Sequence, residues 1–550
     1  MGDMTVNKTG SWRNVEPLHV EQTPPCTFRC PAGNDVVGFV TLAAEGRFED
    51  AWRLLAKTTP FPGTCGRVCP HPCETDCNRA QMGGAINIHT IERYIADMFQ
   101  DNPPELKPGA FTGRHVAVIG SGPAGLSCAF HLKLAGHAVT VFEVHPKAGG
   151  MLRVGIPDYR LPPAVLDAEI KRIVDLGVEI ITGSKVGEDV SFKCLMDKFE
   201  AVFAAVGFTN SRPLGAKNDD GNGVLPGIEV LRRINLSMED GIGRKPLVVG
   251  GGNTAMDVAR ALLRNGKDVA VMYRRTRIEM PAIVEEIDEL LAEGIEITFL
   301  ATPVEVIRQN GRLTGVKCIK MQLGKPDESG RRRPVPIEGS EYIVEADCVV
   351  TAIGETADLE FLPDEIRAKT SWNIPADELG RTPVDKLFAG GDAADGAGTV
   401  TAAIGYGRRA AIAIDAALTG RSLPENAAVT PSLRECTSHM VPFDELNTAY
   451  FDALPRLEPA SLSVAERIKT FEEVRQGFST EEFNKEAGRC FSCGTCPACD
   501  NCFVFCPDVA VIKVKSDPHK FYFVDTDYCK GCGLCAAECP RACIIMKPVH

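Results

Sequence analysis

Two copies of one cysteine spacing constrain this chain more than anything else in it: Cys496-x-x-Cys499-x-x-Cys502-x-x-x-Cys506-Pro and Cys529-x-x-Cys532-x-x-Cys535-x-x-x-Cys539-Pro. Thiolates at this spacing are soft ligands suited to [4Fe-4S] clusters, with tetrahedral zinc a remote alternative. Residues 490–550 are too few for a large apolar core, so clusters would have to replace one. Each run is followed by an apolar, strand-like segment, residues 509–514 and 544–546. Disulfides do not fit the 22 cysteines: disulfide scaffolds are small secreted chains, and here the cysteines crowd both ends of 550 residues. Only Cys128, Cys194, Cys318, Cys348 and Cys436 lie between, and they are expected to be packed core thiols.

The twin runs resemble those of bacterial ferredoxins, in which the fourth cysteine of each run crosses to the other cluster. The resemblance implies Cys539 with Cys496, Cys499 and Cys502, and Cys506 with Cys529, Cys532 and Cys535. Cys490, Cys493 and Cys543 are left over as packed thiols, or, for the C-x-x-C pair, as an additional site or alternative register. Basic and acidic residues balance from Cys490 onward, which fits a tethered relay against an attached partner better than a free carrier with an acidic docking face.

A chain of 550 residues exceeds one core, and roughly three to five domains are expected. With 44% hydrophobic and 24% charged residues it is globular, and its net charge of -13 argues against binding nucleic acid or anionic lipid. No apolar stretch approaches the ~18 residues of a membrane span. Residues 1–34 lack the apolar region of a signal peptide, so a cytoplasmic location is expected.

From His115 the pattern is α/β, a short apolar strand, glycines, then a helix, and it recurs at residue 247. In the first unit Gly120-Ser-Gly122-Pro-Ala-Gly125 follows a strand and opens a helix, and Glu143 ends the next strand about 20 positions on, placed for a ribose diol. The second unit, Gly250-Gly-Gly252-Asn253-Thr254-Ala255, has Arg274 and Arg275 at the corresponding strand end. Guanidinium groups there pair with a 2'-phosphate, which favours NADP(H) over NAD(H); the alternative is a solvated face or a pyrophosphate contact.

These units, with Gly149-Gly150-Met-Leu-Arg-Val-Gly-Ile-Pro-Asp-Tyr-Arg-Leu-Pro162, Tyr273-Arg-Arg-Thr-Arg-Ile-Glu-Met-Pro-Ala282 and Phe388-Ala-Gly-Gly-Asp392-Ala-Ala394, resemble the small subunit of glutamate synthase and its relatives over residues 26–420. The resemblance implies a nicotinamide domain inserted into an FAD domain, with Asp392 capping the FAD ribitol and backbone near Thr399 approaching the flavin. Asp392 is then a positioning group, since hydride transfer between nicotinamide and flavin needs orientation and no protein acid or base, and no catalytic side chain is expected.

Near the N-terminus, Cys26-x-x-x-Cys30-Pro and Cys65-x-x-x-Cys69-Pro-His-Pro-Cys73-x-x-x-Cys77 supply further thiols, again with zinc as the alternative metal. The similar subunits hold two clusters here, one with the help of an upstream Cys-x-x-Cys pair that this sequence lacks before Cys26. The resemblance therefore implies one cluster on Cys30, Cys69 and Cys73, with Glu92 or one of Cys26 and Cys77 as fourth ligand, and a second if Cys65 is recruited.

The expected architecture is multidomain α/β: a helical iron–sulfur domain (1–112), an FAD domain in two parts (113–240 and 356–425), an NAD(P) domain between them (241–355), a helical linker (426–489) and an α+β ferredoxin-like domain (490–550). Such a chain converts two-electron nicotinamide chemistry to one-electron transfer. The expected function is an FAD-dependent NAD(P)(H) oxidoreductase subunit serving a catalytic partner of the 2-oxoacid:acceptor oxidoreductase type. The alternatives are a glutamate synthase small subunit, or a noncatalytic module, against which the intact second glycine loop and Arg274 argue.

Overall fold

The computed structural model describes residues 8–239, 241–327, 330–367, 373–394, 396, 398–424, 440–514 and 521–549, so Cys436 and part of the expected linker lie outside the described residues. Two parallel five-stranded sheets organise the middle of the chain. In the first the order is Leu387–Ala389, Ala201–Ala204, His115–Ile119, Ala138–Phe142, Glu179–Ile181. Its edge strand Leu387–Ala389 follows the whole second unit in sequence, so one nucleotide-binding domain is inserted in the other.

The second sheet runs Glu296–Phe299, Ala270–Tyr273, Pro246–Val249, Cys348–Thr351, Val224–Pro226. The boundary expected at residue 240 falls earlier. Val224–Pro226 pairs in parallel with Cys348–Thr351, and the following helix Gly227–Asn235 packs on Asn253–Arg264. Both chain crossings between the sheets run through one antiparallel pair, Asn210–Ser211 with Glu355–Thr356. An antiparallel sheet from Ala301–Gln309 to Tyr342–Val344 is appended to the second domain. Cys128, Cys318 and Cys348 are buried in these cores, while Cys194 is half-buried.

Helices Val36–Ala44, Phe48–Ala56, Pro62–Val68 and Ile88–Met98 build the N-terminal domain around Trp52, Phe61 and Ile91. The amphipathic reading of Phe48–Ala56 holds, with Ala51, Trp52 and Leu55 facing inward. Residues 101–109 have no regular structure.

Two sequence expectations are corrected beyond residue 440. The described part of the linker is mostly extended, with Thr480–Gly488 its one helix longer than four residues, because prolines at 442, 455 and 459 interrupt helical hydrogen bonding. Nor is the C-terminal domain built from residues 490–550 alone. Its last strand Ile544–Pro548 pairs antiparallel with Val15–His19 from the N-terminus, while Val511–Lys513 pairs with Tyr522–Val524. No helix among the described residues is long and apolar enough to cross a membrane.

Candidate dinucleotide and iron–sulfur sites

The strand His115–Ile119 runs into Gly120, whose φ of +98° suits a residue without Cβ. A Cβ there would lie 2.5 Å from the Ala205 carbonyl oxygen, and one at Gly125 would lie 2.0 Å from that of Gly120. At Gly122, which caps helix Pro123–Leu134, a Cβ would meet no protein atom within 4 Å. The first and third glycines serve the turn and the helix packing, and the second leaves the helix N-terminus open to a pyrophosphate, as FAD requires. Gly150 supports this loop from behind, since a Cβ on it would reach 2.6 Å from the Gly122 Cα.

Glu143 is buried at the end of its strand, accepting hydrogen bonds from Ser121 N at 2.9 Å and Oγ at 2.5 Å and from His145 N at 2.8 Å. A carboxylate offers about four lone-pair sites, so about one remains for a ribose hydroxyl. Leu387–Ala389 brings Asp392 to the same loop: a Cβ on Gly391 would touch that of Ala124 at 2.9 Å. Asp392 Oδ1 accepts from Gly398 N at 3.0 Å, and Thr399 caps the helix Val400–Thr419 through Ala402 N at 3.2 Å.

The second loop repeats the logic. A Cβ on Gly250 would lie 2.1 Å from the Ala352 carbonyl oxygen, whereas at Gly252 its nearest neighbour is Pro281 Cγ at 4.0 Å, so the N-terminus of Asn253–Arg264 is again open. Asn253 accepts from Ile283 N at 2.9 Å and Thr254 bonds to Glu355, so both side chains brace the loop against its neighbours. The two arginines part company, which corrects their pairing in the sequence reading. Arg275 is buried, donating to Asp327 at 2.7 Å and to the Arg332 carbonyl at 2.8 Å, because it points under the turn into the Arg332–Pro336 hairpin. Arg274 is exposed, with Arg275 and Arg331 adding positive charge beside it.

The N-terminal thiols fall into two groups. Cys30, Cys69 and Cys73 lie together, with Glu92 and Cys65 beside them. Burial pushes Cys30 up to about 11 and Cys69 up to about 12, and burial with the Glu169 carboxylate pushes Glu92 up to about 8. Thr401, in the first turn of the helix that Thr399 caps, donates its hydroxyl to Cys69 Sγ at 2.9 Å. Cys26 and Cys77 turn instead toward Cys490 and Cys493.

In the C-terminal domain the thiols of the twin runs gather in two neighbourhoods. Cys539 lies beside Cys496 and Cys502, and Cys506 beside Cys529 and Cys535, the latter three lining one small cavity with Cys532. Cys499, the second thiol of the first run, is exposed next to Cys496 and Cys502. A hydrogen bond from the Cys543 thiol holds Cys539 down at about 6. Backbone N–H groups of Ala510 and Cys543 point at Cys506 and Cys539 sulfur, each at 3.3 Å. Among the described residues the set of three ligating groups drawn within 4.8 Å is His71, Glu74 and His89, and no cysteine set is that tight.

Sequence reasoning missed Thr401, whose partner lies 332 residues away, and Tyr159 and Arg160, whose motif reaches the other nucleotide domain. Nothing in local spacing marks any of the three.

Comparison with known proteins agrees with this anatomy. Residues 114–407 match the family model described as pyridine nucleotide-disulphide oxidoreductase. Residues 20–103 match the dihydropyrimidine dehydrogenase domain II, 4Fe-4S cluster, and residues 522–545 the 4Fe-4S binding domain. The chain is 38% identical over 518 residues to the NADPH-Fe(3+) oxidoreductase subunit beta of Geobacter sulfurreducens, covering 87% of this chain and 76% of that one. It is 38% identical over 500 residues to the NADP(+)-dependent formate dehydrogenase subunit beta of Moorella thermoacetica, covering 86% and 70%. With the glutamate synthase [NADPH] small chain of Escherichia coli it shares 36% identity over 420 residues, covering 70% and 87%.

Proposed function

Because this chain belongs to the pyridine nucleotide-disulphide oxidoreductase family, in the group of the glutamate synthase small chain with added [4Fe-4S] domains, we propose that it passes electrons between NADP(H) and a partner subunit. Bound FAD would exchange two electrons with nicotinamide as hydride and one at a time with clusters, which is the chemistry that joins the two kinds of site. The observation that carries the reading is the bond from Thr401 to Cys69. One helix N-terminus thereby serves both the flavin loop, through Asp392 and Thr399, and a cluster ligand.

The residues that would hold the groups are these. Gly120, Gly122 and Gly125 open the pyrophosphate site of FAD, Glu143 meets the ribose, and Asp392 orients the ribitol. Gly250 and Gly252 open the nicotinamide nucleotide site, and Arg274 meets the 2'-phosphate. Cys30, Cys69 and Cys73, with Glu92 or Cys65, hold an N-terminal cluster, and the two crossed sets hold the C-terminal pair.

The partner carries whatever organic chemistry the complex performs. The ferredoxin module fits a 2-oxoacid:acceptor oxidoreductase-type subunit, and the name of the Moorella relative adds a formate-oxidising one. Turnover of the co-purified complex with 2-oxoacid plus coenzyme A, with formate, or with glutamine plus 2-oxoglutarate distinguishes these from glutamate synthesis.

The direct test is anaerobic titration of the reconstituted chain with NADPH and with NADH, followed by absorbance and EPR. Flavin bleaching followed by cluster signals, with NADPH preferred, is the expected result. Preference for NADH would overturn the reading of Arg274, and reduction by neither nucleotide would overturn the function.

A further inference from the structure

The cysteines left over from the twin runs have partners at the other end of the chain. Cys26 lies within electrostatic reach of Cys77, Cys490 and Cys493, and Cys493 within reach of Cys77 and Cys490. Cys26 and Cys493 are buried, Cys77 and Cys490 half-buried, and all four are free thiols.

Their convergence is built in by packing. Asn78, the residue after Cys77, donates its amide to Cys493 Sγ at 3.4 Å. Arg489 donates to the Gly83 and Gly84 carbonyls at 2.9 and 2.6 Å, fixing the entry to Cys490 against the turn that follows Cys77. Gln22 N donates to the Gly494 carbonyl at 3.0 Å, and Thr41 Oγ1 meets Ser492 Oγ at 3.3 Å. The Ser492 amide points at Cys490 Sγ at 3.4 Å, the same kind of N–H to sulfur contact made at Cys506 and Cys539.

We propose that Cys26, Cys77, Cys490 and Cys493 together hold a further [4Fe-4S] cluster, so that this chain carries four clusters and its two ends share one. Four convergent, shielded soft donors without disulfide pairing suit iron–sulfur ligation. The place in the chain suits a relay: Cys73 of the flavin-side set neighbours Cys26, and Cys493 stands three residues before Cys496 of the ferredoxin set. The assignment deepens the electron-transfer reading and rests on it only for the direction of use. As ligands the four thiols stand or fall by iron content.

The test is iron and sulfide analysis with Mössbauer and EPR spectra of the anaerobically reconstituted full chain, its FAD content serving as the control for folding. Wild-type protein is expected to hold about sixteen irons per chain. Cys490→Ser/Cys493→Ser and, separately, Cys26→Ser/Cys77→Ser are each expected to lose about four irons and the same EPR signal, with FAD retained. A wild-type content of about twelve irons overturns the assignment whatever the variants do. So does either pair of substitutions leaving iron and spectrum unchanged. Bleaching of the wild-type flavin by NADPH is scored separately, and its failure would sink the functional reading while leaving the iron count intact.

Discussion

Arg274 and Arg275 stand side by side in sequence, yet they take opposite sides of one turn, and their substitution should separate binding from folding. Loss of one charge-assisted contact is worth about 1.5–3 kcal/mol. Arg274→Ala is therefore expected to raise KM for NADPH by about 10- to 100-fold while changing KM for NADH little, as read by steady-state kinetics with both nucleotides. Arg275→Ala removes a buried partner of Asp327 and should instead lower the melting temperature without a matching change in nucleotide preference. Thr401 gives a second prediction at this scale. Its hydroxyl bond to Cys69 favours the more electron-rich state of a bound cluster, and a bond of about 1 kcal/mol corresponds to about 40 mV for one electron. Thr401→Val should thus move one cluster potential about 40 mV more negative in an EPR-monitored redox titration, with FAD content unchanged. The glycines, Glu143 and the twin cysteine runs stand out in the sequence because their chemistry depends on local spacing, whereas Asp392 was marked only by the family resemblance. The fate of Arg275 was not legible, because its partner lies on a hairpin more than fifty residues on.

At the scale of elements, the short continuous apolar runs read correctly as buried strands, and so did the helices opened by glycine loops. What sequence could not reveal was which strand joins which sheet, since pairing depends on partners far along the chain. Val224–Pro226 moved to the second nucleotide domain for that reason, and Val15–His19 became part of the ferredoxin-like domain. The latter strand closes an edge that would otherwise expose the backbone of Ile544–Pro548. Leu18 stands opposite Ile545, in the register in which Val20 N donates to the Cys543 carbonyl. Proline at position 18 removes a ladder hydrogen bond and leaves the facing carbonyl unsatisfied, at a cost of about 1–3 kcal/mol. Leu18→Pro is expected to speed amide exchange across residues 544–548 by about 100-fold and to hasten chelator removal of iron from the C-terminal pair. Unchanged exchange there would show that the strand contributes nothing to the domain.

The whole molecule is held by contacts that fold its two ends back over the nucleotide domains, and one buried charge network joins three of its parts. Tyr159 and Arg160, from the flavin domain, reach helix Asn253–Arg264 of the nicotinamide domain: Arg160 pairs with Asp257 at 2.8 Å and Glu286 at 3.1 Å, and Arg264 stacks over the Tyr159 ring at 4.0 Å. From the segment after residue 440, Arg467 meets Glu289 at 2.6 Å and Glu293 at 3.2 Å. Glu293, its side chain fully buried, also takes Arg260 and Arg264, each at 2.8 Å. Burial alone would raise the pKa of this carboxyl and favour its neutral form, but hydrogen bonds from Arg264 and Arg260 outweigh it and hold Glu293 below the ordinary carboxylate range. A group whose folded value is depressed adds stability above its unfolded value and loses that contribution as pH falls through the folded one. Glu293→Gln leaves three guanidinium groups short of a partner, and breaking such a buried pair costs about 3–5 kcal/mol. The variant is expected to unfold at distinctly lower temperature at pH 7, and its deficit relative to wild type should shrink as pH drops below about 4. Thermal unfolding at a series of pH values measures both. A deficit that stayed constant down to the acid limit would mean that packing, and not the charge of Glu293, joins the tail to the two nucleotide domains.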